Sequence, residues 1–442
     1  MSKTFHPLLL LLTCALFGGC TRPTDFVVDL SGEWEVRLDS PEAEPQVIQL
    51  PGITDMAGID TADTLQPRLE EPQGQQREAY YTRLFEVKKK MADKPLELIF
   101  ERVLWKSTIL IDGQPVEALD YTNESLVTPH RYALPRGLAA GQHIIQVCVA
   151  SQAQWNGIMG MMELRALPEV SIDRMEVYPD ASLRHLDVVL TVTNHTSEFQ
   201  NAYLMLITSP RGQASEMWPS SPVQETLEPG TTTLTMSCNL PARTPRWSEA
   251  HPDLLCVGAS LETKEGITET VVNVGLRQIE TRDGKLFVND EPVTLRGSHD
   301  HFSSHTIYST TDKAGWTKVF EDAKEQGLNH LSFRSWCPPD AAFEVADEMG
   351  FYLGVELPVW STNTGSASAA YDYLLHEYEN IIRTYGNHPS FCMLSVGDES
   401  LYDIDFLNAF VADMKVRDPR HLYSLYNTRI EVKHQGATSI YE

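Results

Sequence analysis

The hydrophobic pattern of the chain changes its period near Leu276, and this change limits the possible folds more than any other feature. Beyond Leu276, short apolar runs alternate with segments of helical period. Alternating strands and helices indicate βαβ units around a parallel sheet. We predict strands at 293–297, 328–334, 351–357, 391–397 and 422–426, and helices at 311–326, 339–349, 371–385 and 403–416.

Before Leu276 the pattern is entirely that of short β-runs broken by turns. Runs of this kind favour β-sandwiches, and Asp112-Gly113 is typical of a hairpin turn. We expect a jelly-roll sandwich at 24–168, whose core includes Trp34 and Trp105. An immunoglobulin-like sandwich of some seven strands is expected at 169–275. The fold class is therefore multidomain β plus α/β, with the α/β part at 276–442.

The α/β part admits either a doubly wound sheet or a (β/α)₈ barrel. A Gly-rich dinucleotide fingerprint is missing after every predicted strand, which weakens the doubly wound alternative. No Cys/His spacing typical of a metal site occurs, and we expect neither a metal nor a cofactor. Lys and Arg total 35 against 61 Asp and Glu, so nucleic acid is excluded as a partner.

Seven cysteines occur at wide spacings. Five of them, Cys148, Cys238, Cys256, Cys337 and Cys392, follow the N-terminal segment, and we expect buried free thiols. A disulfide between Cys238 and Cys256 is the alternative in an oxidising compartment.

The N-terminus has the pattern of a signal peptide at 1–19. An apolar run from Leu8 to Phe17 is too short to span a bilayer comfortably, and it ends in Gly18-Gly19-Cys20. Small residues before a cysteine are typical of bacterial lipoproteins, although Leu16 lies one place earlier than usual. We expect lipidation at Cys20 and anchoring in the bacterial cell envelope. Ordinary signal cleavage is the alternative.

Polar residues follow the predicted parallel strands where each one ends. These positions are His299, Asp300 and His301, then Arg334 and Trp336, then Glu356 and Trp360, and finally Asp398 and Glu399. In a barrel these ends share the face that holds the active site. Paired carboxylates with tryptophan platforms suit glycoside hydrolysis, in which a carboxyl group of raised pKa protonates the leaving oxygen.

Two segments then resemble a known family. The residues Tyr385-Gly386-Asn387-His388-Pro389-Ser390-Phe391 and Ser395-Val396-Gly397-Asp398-Glu399-Ser400 resemble the acid/base signature of glycoside hydrolase family 2. That family includes β-galactosidases, β-glucuronidases and β-mannosidases, and orders its domains as a sugar-binding jelly roll, an immunoglobulin-like sandwich and a TIM barrel. The segments 30–34, 50–52, 100–105 and 287–297 extend the likeness along most of the chain.

The resemblance implies a role for each matching position. It makes Glu399 the acid/base, Arg334 the orienter of the nucleophile, and His301 a substrate contact. His299, Glu356, Trp336 and Trp360 are further candidates for sugar binding. Asp398 departs from the family, whose Asn holds the sugar 2-hydroxyl, since Asp cannot donate a hydrogen bond. Salt-bridge, loop and packing roles are the alternatives for Arg334, the two histidines and Trp360.

A complete barrel takes about 250 residues, and only about five strands follow Leu276. The resemblance places the nucleophile near a seventh strand, beyond residue 442, so we expect a truncated barrel that is inactive alone. Two functions remain open. The first is a retaining, exo-acting β-glycosidase acting on β-galactosides or β-glucuronides. The alternative is a non-catalytic carbohydrate-binding envelope lipoprotein, which Asp398 and the missing nucleophile favour.

Overall fold

A computed structural model describes residues 26–54, 57–59, 77–134, 136–151, 156–213, 215–301, 312–358, 367–397 and 404–425. Cys20 lies outside these ranges. Within them, no helix combines the length and the apolar character that crossing a membrane would require.

The first part of the chain forms a β-sandwich, whose described strands pair in the order β1-β11-β6-β9-β8-β7-β10-β5-β2-β3, with β4 beside β11. Trp34, Tyr81, Phe100 and Tyr132 lie in its core. Asp112 and Gly113 both have positive φ and join β7 to β8, as the sequence predicts. The strands are β1 Val27–Asp29, β2 Gly32–Leu38, β3 Gln46–Leu50, β4 Gly52–Ile53, β5 Arg77–Val87, β6 Leu96–Val103, β7 Lys106–Ile111, β8 Gln114–Ala118, β9 His130–Leu134, β10 Gly141–Ser151 and β11 Gly157–Ala166.

A second β-sandwich follows, with a separate core of aliphatic side chains. One sheet has the order β12-β13-β17, and the other has the order β15-β14-β18-β19 with β16 beside β14. The strands are β12 Val170–Pro179, β13 His185–Asn194, β14 Gln200–Pro210, β15 Trp218–Pro219, β16 Val223–Leu227, β17 Gly230–Asn239, β18 Leu255–Thr263 and β19 Gly266–Val274. Strand β12 lies at the edge of its sheet.

A small antiparallel sheet connects the second sandwich to the α/β part. Its strands are β20 Ile279–Arg282, β21 Lys285–Val288 and β22 Glu291–Val293. The predicted strand at 293–297 is therefore wrong. Its first residue ends β22, and its last residue begins the first parallel strand. Apolar Val293 and Leu295 pack on a small cluster beneath the sheet rather than forming a strand of their own.

The α/β part contains a parallel sheet in the order β23-β24-β25-β26-β27. Apart from β23, the strands and helices fall within a few residues of their predicted positions. Nearly every residue of β24, β25 and β26 is buried, as expected for strands covered on both faces. The strands are β23 Gly297–His301, β24 His330–Arg334, β25 Tyr352–Glu356, β26 Phe391–Ser395 and β27 Leu422–Ser424, and the helices are α1 Lys313–Glu325, α2 Asp340–Met349, α3 Ala367–Tyr385 and α4 Ile404–Arg417.

The first sandwich and the α/β part share one hydrophobic core. Ile53, Leu104, Trp105, Leu126 and Val127 of the sandwich pack in the same cluster as residues of α1, α2 and α3. The sequence predicts Trp105 in the core of the sandwich, and this is wrong. Trp105 lies in the shared core instead, where its ring contacts Tyr373 of α3 edge-to-face.

All five cysteines in the described part of the chain are free thiols, and Cys238 and Cys256 do not pair. Four are buried and Cys148 is half-buried. The prediction of free thiols is therefore confirmed.

Candidate active site

The carboxyl ends of neighbouring parallel strands meet at one edge of the sheet. His301 of β23 is paired in register with Arg334 of β24. Phe333 is paired with Val355, so Arg334 lies level with Glu356, which is in turn paired with Ser395 of β26. The backbone thus brings the predicted positions 301, 334 and 356 together, and β26 leads towards residue 398 at the same edge.

Glu356 is buried at this edge and binds the turn that follows β24. Its Oε1 accepts hydrogen bonds from the backbone N–H and the hydroxyl of Ser335, each at 3.0 Å. Ser335 has a φ of 56°, an uncommon value for a residue with a side chain. The carboxylate therefore compensates for an unfavourable backbone conformation directly after Arg334.

Trp336 is only 1% exposed and packs edge-to-face on Phe333. The guanidinium of Arg102, from β6 of the first sandwich, lies 5.9 Å from its ring and donates a hydrogen bond of 2.7 Å to the Cys337 carbonyl. The first sandwich thus supports the segment 334–337 through Arg102. A sugar-binding role for Trp336 stays a prediction, and its buried ring favours packing.

Several predicted site residues lie outside the described residues. These are Trp360, Asp398 and Glu399, together with the side chains of His299 and His301. Their roles stay predictions that rest on the sequence. Gly397, two residues before Glu399, is the last described residue at the end of β26.

The signature segment that precedes β26 is described in full, and its polar side chains bind neighbouring parts of the protein. Asn387 binds the edge of β12 in the second sandwich. His388 contacts Asp347 at 2.6 Å and Asp340 at 3.1 Å, both on α2. Burial opposes a charged ring, but these two carboxylates outweigh it and raise the pKa of His388 to about 10. His388 is therefore a cation at neutral pH.

Sequence reasoning missed Glu377, a carboxyl group buried where α3 meets the first sandwich. It is 1% exposed and accepts a hydrogen bond of 3.1 Å from the Leu126 N–H. Burial raises its pKa to about 7, against the lowering effect of Ser125, Leu126 and Arg102. The spacing of apolar residues in the sequence indicates this burial, because Glu377 shares a helical face with Leu374 and Ile381, which are both fully buried.

Metal binding finds no support in the described ranges, where no group of three or more His, Cys, Asp or Glu is arranged to hold an ion.

The known proteins that are similar to this chain include β-galactosidases and β-glucuronidases. The chain matches no protein-family model. It is 24% identical over 371 residues to a β-galactosidase from Priestia megaterium, an alignment that covers 75% of this chain and 34% of the relative. The chain spans about a third of the length of the curated β-galactosidases that it matches over most of its own length.

Solved structures share the fold. Bacteroides uniformis β-glucuronidase 2, covalently bound to cyclophellitol-6-carboxylate aziridine, superposes with a TM-score of 0.74 at 17% identity, over 90% of this chain and 52% of that one. A family 2 β-galacturonidase from Eisenbergiella tayi gives a TM-score of 0.70 at 19% identity, over 90% and 70% of the two chains.

Proposed function

Because the chain is related to the glycoside hydrolases of family 2, we propose that it carries the acid/base part of a retaining, exo-acting β-glycosidase. The parallel sheet is the first part of a (β/α)₈ barrel, and the sandwiches correspond to a jelly-roll and an immunoglobulin-like domain. The observation that carries the proposal is the shared edge at which β23, β24 and β25 end beside β26, the strand that leads to Glu399.

In this proposal each residue at the edge has one role. Glu399 protonates the leaving oxygen and then activates water, while a second carboxyl group about 5–5.5 Å away attacks the anomeric carbon. Arg334 orients that nucleophile. Glu356 is bound to Ser335, and its burial makes it a support for Arg334 rather than the attacking group.

The relatives suggest which sugars to test. They are described as acting on β-galactosides, β-glucuronides and β-galacturonides, so we propose a β-galactoside or a β-uronide as the substrate. Lipidation at Cys20 would hold the enzyme at the bacterial cell envelope, where such glycans arrive from outside.

A panel of aryl β-glycosides tests the proposal on the full-length protein. We expect hydrolysis of one sugar series with retention of configuration. Glu399→Gln should lower kcat/KM at least a hundredfold for substrates with poor leaving groups, and far less for activated aryl glycosides, because a general acid contributes about 10²–10⁴-fold to the glycosylation step. Glu86→Gln, on the exposed face of β5, is the control and should leave both rates unchanged.

The Asp at position 398 favours a second function, a carbohydrate-binding protein without catalysis. That function would be supported by saturable sugar binding with no turnover of any glycoside in the panel.

A further inference from the structure

The side-chain amide of Asn387 pairs with the edge of the second sandwich as a strand would. Its Oδ1 accepts from the Val177 N–H at 2.9 Å, and its Nδ2 donates to the Met175 carbonyl at 2.8 Å. Both backbone groups belong to β12, on the side of that edge strand away from β13. A primary amide offers a donor and an acceptor side by side in this way, whereas an ionised carboxylate can only accept.

Two arginines reinforce the same junction. Arg277, in the connection after β19, donates to the carbonyls of Pro389 and Phe391, each at 2.6 Å. Arg420 donates to Asn387 Oδ1 at 2.9 Å and to the Val177 carbonyl at 3.2 Å. Its guanidinium lies 4.3 Å from the Tyr178 ring, and Asp418 balances its charge. A side chain at Gly386 would collide with this arginine.

The contacts of Asn387 and Arg277 with this junction fall on residues 387–391, which lead into the start of β26. On the other side, the Ser390 N–H donates to Asp347 of α2 at 2.9 Å. The strand itself is short and fully buried, so a displacement at its start is passed along to its end. Its end leads within a few residues to Glu399.

We propose that Asn387 is a positioning residue, through which the second sandwich fixes the placement of β26 and hence of the carboxyl group that follows it. This inference rests on the proposed function for the role of Glu399, and on the described contacts for the attachment of β26. A misplacement of about 1 Å at a reacting group can cost about a hundredfold in rate, so a distant amide can govern catalysis.

Asn387→Asp tests the inference with almost no change in shape. The carboxylate accepts from Val177 and Arg420 but faces the Met175 carbonyl without a donor. In the full-length protein we expect kcat/KM, which reports formation of the glycosyl-enzyme, to fall at least tenfold for phenyl glycosides and less than threefold for dinitrophenyl glycosides, because only the former need the acid in that step. An equal fall for both leaving groups, or none for either, would overturn the inference, while an inactive wild type would count against the proposed function instead.

A control variant breaks a different contact between the same two parts of the protein. Arg211 pairs with Glu348 of α2 at 2.7 Å and does not contact β26. We expect Arg211→Met to leave the ratio of the two rates unchanged. Arg277→Lys, which keeps the charge but cannot reach all of its carbonyl partners, should reproduce the leaving-group effect if Asn387→Asp folds poorly.

Hydrogen exchange tests the attachment without relying on activity. Amides of residues 391–397 should exchange at least fivefold faster in Asn387→Asp than in the wild type or in Arg211→Met. Unchanged exchange in this segment would show that Asn387 does not hold β26, whatever the protein hydrolyses.

Discussion

Buried carboxylates in this protein differ according to the groups that replace water around them. Burial alone would raise the pKa of Glu97, but Arg131 and Arg165 outweigh that effect and hold the pKa below its usual range. Among the residues that the structure describes, Glu377 has no such ion pair. The Leu126 N–H is a weaker substitute for water, and the pKa of this carboxyl rises to about 7. One buried acid is therefore charged and the other is half-protonated near neutrality.

Glu377 should make the stability of the protein depend on pH in a defined direction. Its pKa is raised from 4.5 to about 7 on folding, so its contribution is complete below pH 4.5 and is lost as the pH rises through about 7. Relative to Glu377→Gln, the wild type should therefore lose about 3 kcal/mol of unfolding free energy between pH 4 and pH 9. Urea denaturation at both pH values measures this. A difference between the two proteins that does not change with pH would refute it.

Glu356 should stabilise the folded protein through the two hydrogen bonds that it accepts from the N–H and the hydroxyl of Ser335. Glu356→Leu removes the acceptor from both donors and should cost about 3 kcal/mol of unfolding free energy. Glu356→Gln keeps an acceptor oxygen and should cost about 1 kcal/mol. Denaturation of the two variants gives their order, and an equal cost would mean that the hydrogen bonds to Ser335 contribute nothing.

The helices and strands of the α/β part follow from the sequence because local pattern and tertiary environment agree there. The predicted helix at 339–349 becomes α2 Asp340–Met349, with Pro before it and Gly350 after it. The segment 279–297 does not follow in the same way. Its three short strands are fixed by their contacts with Trp247 and Tyr352, which no local pattern shows. Likewise, the contacts of Asn387 depend on β12, far away in the sequence.

The glycines that end α1 and α2 should respond differently to substitution. Gly327 and Gly350 have φ values of 75° and 72°, which disfavour any side chain. Nothing lies within 4 Å of a Cβ placed at Gly327, whereas a Cβ at Gly350 would lie 2.6 Å from the Glu249 carbonyl oxygen. Gly327→Ala should cost about 1 kcal/mol and Gly350→Ala at least about 2 kcal/mol more, since backbone must move. Thermal denaturation of both variants checks the difference, and equal costs would contradict it.

The two sandwiches are joined to the α/β part by different kinds of contact. The first sandwich shares a continuous apolar core with α1, α2 and α3. The second keeps its own core and is joined through polar contacts that include those of Asn387, Arg277, Arg420 and Arg211, beside a smaller apolar cluster around Trp247. The free energy gained by burying apolar surface grows with the buried area, so a shared core makes the stability of each part depend on the other. A few hydrogen bonds contribute less free energy and mainly fix the relative position of two parts. The hydrophobic pattern of the sequence predicts the presence of separate parts, but not which parts share a core.

We propose that Cys20 attaches the protein to the membrane. Mass spectrometry of the mature protein should find an N-terminal Cys20 that carries acyl chains, and Cys20→Ser should release the protein from the membrane fraction. Two or more acyl chains are needed for stable anchoring, so partial acylation should give partial release. An unmodified N-terminus at another residue would remove the anchor.

Trp105 should couple the unfolding of the first sandwich to that of the α/β part. Its ring is 5% exposed and contacts Tyr373 of α3, and its Nε1 donates to the Glu124 carbonyl at 2.7 Å. Trp105→Ala should cost about 3–5 kcal/mol and should speed hydrogen exchange in both parts. Trp34 is the matched control, because it is equally buried, donates to the Leu30 carbonyl at 2.9 Å, and lies wholly within the core of the first sandwich. Trp34→Ala should speed exchange in that sandwich and leave residues 371–385 of α3 protected. If Trp105→Ala also leaves α3 protected, the shared core does not couple the two parts.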